Sequence, residues 1–341
     1  RPSARKKGVF KKGALKKEGV LDGGAFHVTT ESPCSAPMTA SPLLFDRALH
    51  RARLDRAAPD YAAADFLKAR AAGDVVMRLE TILRRFPLAV DLGARNGHFF
   101  KALSESDARA NIDTLIEADL SGRMLGGRNT LRVVADEERL PFGDGTLDLI
   151  VSTLSLHWTN DLVGALIQIR RALKPDGLFV GAIFGGATLT ELRQCLLAAE
   201  SELTDGASMR VSPFADAIDA AGLLQRAGFA LPVADVDRVK VRYSHPLKLL
   251  RDLRAMGETS VLLDRSRKPL SRKVLFRAME LYAERFAEAD GKVPATFEIV
   301  SVTGWAPHES QQKPLRPGSA KMRLADALGV KEQPAGDRAG S

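Results

Sequence analysis

Two cysteines in 341 residues, one in a polar leader (Cys34) and one in a helical stretch (Cys195), leave no C-x-x-C and no paired spacing. A disulfide scaffold and a thiolate zinc site are therefore excluded, and a reducing compartment is implied. Cys195 reads as a small buried apolar residue. No apolar run approaches the roughly 18 to 20 residues that a membrane-spanning helix needs, so no span is expected, while peripheral contact with a membrane stays open. Charge of one sign is also scarcer than the total of +8 suggests. Residues 1–37 hold eight basic and three acidic side chains, a surplus of five, so the remaining residues carry only +3. A basic groove for a phosphate backbone, and with it a nucleic-acid partner, is not expected.

Residues 1–37 are rich in lysine and glycine, then in serine and proline, without apolar periodicity, and are expected to be disordered. Their six lysines and two arginines contrast with 11 lysines and 31 arginines in the rest, which marks the leader as foreign to the domain. A transit peptide is the functional alternative for it. Between Leu43 and Arg85 two helical patterns follow. They would either cover the mouth of a ligand site or simply pack against a sheet. Strands are then expected at Leu88–Leu92, Thr114–Ala118, Leu131–Ala135, Leu147–Leu154 and Leu178–Phe184, separated by helices, as in a parallel sheet covered on both faces. Further on, Val233–Tyr243 and Phe297–Trp305 read as strands, with helices at Ala217–Ala227, Pro246–Met256 and Ser271–Ala289.

The stretch AVDLGARNGHFF (Ala89–Phe100) joins an apolar run ending in an acid to glycines spaced four apart and a helix start. Gly93 and Gly97 would let the backbone turn sharply and approach a ligand closely. At the end of the second strand, Asp119 stands where a carboxylate accepts both ribose hydroxyls; the alternative is the N-cap of a helix that Asp119-Leu120-Ser121 would open. Asp136 and Glu137, after the third strand, are placed to accept the exocyclic amine of an adenine, or form a solvated acidic turn. After the fourth strand, His157 and Trp158 would position a substrate, stack on adenine, or form an aromatic lid. Glu191 would meet a substrate guanidinium bidentately, although the spacing from Thr188 also writes a capping box. His50 and His245 read as surface or core residues. No histidine is followed two residues later by Asp or Glu, so the common two-His-one-carboxylate iron signature is not written and no metal site is assigned.

The run VVADEERLPFGDGTLDLIVS, followed by RRALKPDGLFVGA, resembles the S-adenosylmethionine-dependent class I methyltransferases over residues 86–184. Longer segments, STLSLHWTNDL, KPDGLFVGAIFGGATLTELR and VPATFEIVSVTGWAPHESQ, with FDRALHRAR and RAMGE, are similar to the mitochondrial complex I assembly factors of arginine-hydroxylase type and their bacterial relatives, over residues 43–324. That resemblance implies an α/β, Rossmann-like fold with a mostly parallel seven-stranded sheet, helices on both faces and a helical cap. The domain layout would be a leader at 1–37, N-terminal helices at 38–85, a cofactor domain at 86–245, a helical insertion at 246–292, a last strand and C-terminal segment at 293–324 and a tail at 325–341. It implies S-adenosyl-L-methionine as cofactor, lined by Asp91, Gly93, Ala94, Gly97, Asp119, Leu120, Asp136 and Glu137, with His157, Trp158 and Glu191 as substrate-side candidates. It also implies a protein substrate, the quinone-site subunit of complex I, and a bacterial cytoplasmic or mitochondrial matrix location. The alternatives are an O-methyltransferase acting on a carrier-bound acyl carboxylate and a non-catalytic assembly chaperone. Arg95 replaces the family's usual glycine, so its side chain must turn outward or crowd the methionine end of the cofactor.

Overall fold

A computed structural model describes residues 43–127, 130–204, 206–214, 217–266, 269–312, 319, 322 and 324–331. The leader 1–37 and the end of the tail lie outside these residues. The sheet has seven strands: β1 (Phe86–Leu92), β2 (Ile112–Asp119), β3 (Leu131–Val134), β4 (Leu147–Thr153), β5 (Leu173–Phe184), β6 (Ala230–Tyr243) and β7 (Val293–Trp305). Their order is β3-β2-β1-β4-β5-β7-β6. The pairs among β1 to β5 are parallel, and β7 runs antiparallel to both of its neighbours. This is the expected Rossmann-like arrangement. β5 starts at Leu173, five residues before its expected start, because the KPDG turn is a register shift within the strand rather than a break before it. β7 likewise begins four residues early, paired through Val293 with Tyr243 of β6.

Continuous burial along β4, where all seven residues are inside, follows from helices on both faces. On one face α2 (Phe66–Glu80) and α3 (His98–Ser104) pack through Val75, Leu79, Phe99 and Leu103 against Phe86, Leu149 and Val180. On the other, α4 (Leu162–Ala172) and α6 (Ala217–Arg226) pack through Leu166, Ile169 and Leu224. Between β6 and β7 the chain inserts α7 (Pro246–Ala255) and α8 (Arg272–Phe286), which share a separate core with α5 (Thr190–Leu203) and β7. Before the sheet, α1 (Arg47–Ala57) is capped by Asp46, whose side chain accepts from Leu49 N at 2.9 Å. Leu324–Leu328 forms a short helix, α9, where the tail was expected to begin.

The strand order reverses between β1 and β4, so the carboxyl ends of these two strands open a crevice, the place where open α/β sheets bind ligands. Among the described residues no helix is long and apolar enough to cross a membrane.

Candidate active site

β1 ends at Leu92 and β4 at Thr153, and Gly93 and Leu154 follow them at the crevice. Gly93 (φ +75°) and Gly97 (φ +80°) both take the left-handed backbone that the sharp turn requires, and Arg95 between them takes it too (φ +51°). The turn is stitched to β2 by Gly93 N and Ala94 N, which donate to Ala118 O at 2.7 and 3.0 Å. The hydrogen that Gly93 carries in place of Cβ faces Ser155: a Cβ there would lie 2.3 Å from the Ser155 Cβ and Oγ. Gly93 is thus required first by the packing of β1 on the turn after β4, before any ligand is considered.

Of the four carboxylates assigned to the cofactor, Asp91 is buried in β1, and the other three, Asp119, Asp136 and Glu137, are each held at this edge by an arginine of the chain. Asp119, fully buried, accepts from Ser121 N at 2.8 Å on one oxygen and from Arg95 N (2.9 Å) and Arg95 Nη1 (2.8 Å) on the other. Arg95 therefore turns inward. Its side chain is 1% exposed, and the outward path open to it in the sequence is not taken. Burial is the largest single influence and lowers its affinity for the proton, but Asp119, Tyr61, Glu137 and Glu258 together outweigh it and hold the guanidinium ionised. Asp136 accepts from Arg47 Nη2 at 2.6 Å, and the buried Glu137 accepts from the same nitrogen and from the Ser155 hydroxyl. Arg47 also donates to Trp158 O at 3.1 Å. It belongs to α1, so the first helix lies over the crevice rather than elsewhere on the sheet. Leu54 and Ala57 of the same helix pack with Tyr61 on Leu120 and Met124. The segment ahead of α1 is fastened from both sides: Asn160 Oδ1 accepts from Leu44 N and Phe45 N, each at 2.7 Å, and Asp46 N donates to Val261 O.

Beneath the glycine turn lies Lys68 of α2. Its ammonium donates to Gly93 O at 2.5 Å and to Thr153 O, joining the ends of β1 and β4. Burial pushes its pKa down to about 8, against the pull of the buried Asp91. His50, also fully buried, is held neutral: burial first, then the charges of Arg95 and Arg47, take its pKa well below the ordinary imidazole range.

His157 and Trp158 both reach the site, through a carboxylate that the sequence did not single out. Trp158 Nε1 donates to Glu258 Oε2 at 2.7 Å, and His157 Nε2 lies 3.3 Å from the same oxygen. Trp158 is buried and edge-on to Phe45, with ring centroids 5.3 Å apart, so it closes over the N-terminal segment as a lid. Glu191 is not brought here. Its carboxylate accepts from Thr296 N at 3.1 Å and from the Thr296 hydroxyl, tying α5 to β7. The capping box fails as well: Leu189 (φ +55°) is the N-cap, and Thr188 is occupied by Glu298, whose backbone N donates to its Oγ1 at 3.1 Å. Antiparallel pairing of β7 supplied a stronger partner for both side chains than the first turn of the helix.

Arg47, Lys68, Arg95 and Glu258 are the site residues that sequence reasoning missed or misplaced. For Lys68 a signal existed: it shares one helix face with Ala71, Ala72, Val75, Val76 and Leu79, all buried. A lysine on an apolar stripe needs buried acceptors. Among the described residues no group of three or more His, Cys, Asp or Glu is arranged to hold a metal ion.

The acceptors suit an adenosyl cofactor in kind. Asp119 would take the ribose hydroxyls, Asp136 and Glu137 the adenine amine, and the Gly93–Gly97 turn would face the methionine end. Every one of these carboxylates now accepts from an arginine, so a cofactor entering must exchange with Arg95 and Arg47.

Residues 90–181 match the family described as a methyltransferase domain. The chain is 41% identical over 290 residues to arginine-hydroxylase NDUFAF5, mitochondrial, of Danio rerio, covering 83% of this chain and 89% of the relative. Identity to the protein of the same name from Homo sapiens is also 41%, covering 83% of each. To a malonyl-[acyl-carrier protein] O-methyltransferase of Methylovorus it is 34%, over 79% of this chain and 92% of the relative.

Proposed function

The chain belongs to the class I S-adenosylmethionine-dependent methyltransferase superfamily, on the branch of arginine-hydroxylase NDUFAF5, and from that premise we propose that it hydroxylates an arginine side chain of the quinone-site subunit during assembly of respiratory complex I. S-adenosyl-L-methionine is its cofactor, and it works in a bacterial cytoplasm, or in the mitochondrial matrix if it is an organellar protein. The observation that carries the cofactor reading is the convergence of Asp119, Asp136 and Glu137 on one edge beside the Gly93 turn, a row of acceptors matched to hydroxyl and amine donors. When bound, the cofactor would supply an adenosyl-sulfonium centre at the methionine end of that edge. Inserting one oxygen atom into a C–H bond is a two-electron oxidation, so the step draws dioxygen and a two-electron reductant from outside the chain, one oxygen entering the arginine and the other leaving as water. The chain's own residues hold the site: Lys68 fixes the turn, Trp158 and α1 exclude water, and His50 stays neutral beneath Arg47 and Arg95.

The similarity to the O-methyltransferases keeps methyl transfer as a second reading. One experiment separates the two. Deleting the gene and weighing the quinone-site subunit should show an arginine lighter by one oxygen, about sixteen mass units, as for any single oxygen insertion. A loss of about fourteen would assign methyl transfer to the same residue, since one methyl replaces one hydrogen, and no change would remove the hydroxylase reading and leave methyl transfer to a substrate other than this subunit.

A further inference from the structure

Behind the lid, between β5, β7, α5 and the inserted helix α7, lies a cavity of about 370 Å³. This is within the range of roughly 300 to 1,000 Å³ usual for small-ligand sites. Phe214, Leu253, Met256 and Phe297 give it apolar walls. Besides Thr188, which is bonded to Glu298, five side chains of its lining are polar. Glu258, Thr259 and Ser260 follow one another along one side, and Ser212 and Arg210 also line it. Arg210 is already paired, its guanidinium 2.6 and 2.8 Å from Glu200 Oε1. The hydroxyls of Ser212, Thr259 and Ser260 are buried and make no hydrogen bond among the described residues, and Ser212 as a residue is only 4% exposed.

Glu258 also lines a narrow crevice with Tyr61, Lys68 and Leu154, on the side of the glycine turn. Its carboxylate thus stands between the cavity and the edge where the cofactor's methionine end would lie. Trp158 Nε1 and His157 Nε2 approach one oxygen, Oε2, and orient the group. A carboxylate fixed on one side, hydroxyl acceptors beside it and an apolar sleeve leading to it describe a complement to one kind of group. That group is a planar cation with several N–H donors on an aliphatic stem. A guanidinium offers five donors in a fixed fork. A carboxylate substrate would meet Glu258 as a like charge.

Resting on the protein-arginine reading above, we propose that Glu258 is the carboxylate that receives the guanidinium of the substrate arginine, with Ser212, Thr259 and Ser260 accepting its remaining N–H groups and the apolar walls covering its stem. Glu258 then takes the role that the sequence gave to Glu191.

The test uses the full-length chain and short synthetic peptides cut from the quinone-site subunit around its arginines, each with a twin carrying citrulline, the neutral isostere. Wild type is expected to bind one arginine peptide about tenfold more tightly than its twin, as a charge-assisted hydrogen bond implies. In Glu258→Gln that preference should fall to within about twofold. Preference retained in Glu258→Gln overturns the assignment while leaving the arginine reading intact. No preference in wild type, seen before any variant is made, overturns the arginine reading and the assignment together. Should Glu258→Gln fail to fold, Thr259→Val serves instead: about threefold weaker arginine-peptide binding supports the cavity, and unchanged binding overturns it.

Discussion

Replacing Arg95 by glycine removes one half of a fully buried ion pair. The structure sets the magnitude through two opposing effects. Arg95 Nη1 and Asp119 Oδ2 are 2.8 Å apart, with side chains 1% and 0% exposed, so the loss strands a buried carboxylate, a change that costs about 3 to 5 kcal/mol where one partner of such a pair is removed. Against this, glycine relieves the left-handed backbone at φ +51°, worth about 1 to 2 kcal/mol for a residue with a Cβ. Without ligand, Arg95→Gly should therefore be less stable than wild type by about 1 to 4 kcal/mol in urea unfolding. With S-adenosylmethionine the order of effects reverses. The ribose hydroxyls would supply the donors that Asp119 has lost, and the ligand no longer displaces a guanidinium, so the stabilisation gained on adding it should be larger in the variant. Equal stability of the two apo proteins, or a variant stabilised less by the ligand than wild type, would refute the view that Arg95 competes with the cofactor for Asp119.

Other expected outcomes follow from the same contacts. Glu191→Gln should lower stability by about 1 to 3 kcal/mol by weakening the tie between α5 and Thr296, and leave S-adenosylmethionine affinity unchanged by calorimetry; altered affinity would return Glu191 to the site. Gly93→Ala should destabilise the protein even without ligand, since the new Cβ meets Ser155 at 2.3 Å, and an unshifted melting curve would contradict the packing described at that turn. Lys68 gives a pH dependence: its pKa falls to about 8 in the folded protein and returns to 10.5 on unfolding, so between these values the unfolded chain binds more protons and stability rises with pH. Wild type should thus gain on Lys68→Met as pH climbs from 8 toward 10; a difference that stays flat would remove the buried ammonium from the account. Comparison with the variant matters because Cys195, whose thiol burial pushes up to about 11, works in the opposite direction above pH 9 in both proteins.

Much of the architecture was legible because it is written in local pattern. Apolar runs gave the five parallel strands and their order of appearance, and the glycine turn, Asp119 and Asp136 fell on the expected strand ends. What stayed hidden depends on partners far apart in the chain. Arg47 and Asp136 are 89 positions apart, and Trp158 and Glu258 exactly 100, so no window along the sequence joins them. Glu191 was misread for the mirror-image reason: its spacing from Thr188 satisfies a local rule, and a strand more than a hundred residues later overrides it. Arg95 was noticed as an exception but not its direction, because whether a long cation turns in or out depends on how much buried negative charge awaits it.

The most direct test of the account is calorimetric titration of the full-length chain with S-adenosyl-L-methionine, beside Asp119→Asn. Saturable heat at one site per chain in wild type, weakened at least about tenfold in the variant through loss of a charged acceptor, is the predicted result. No heat and no thermal shift in wild type at saturating ligand, or equal affinity in the two proteins, would contradict it.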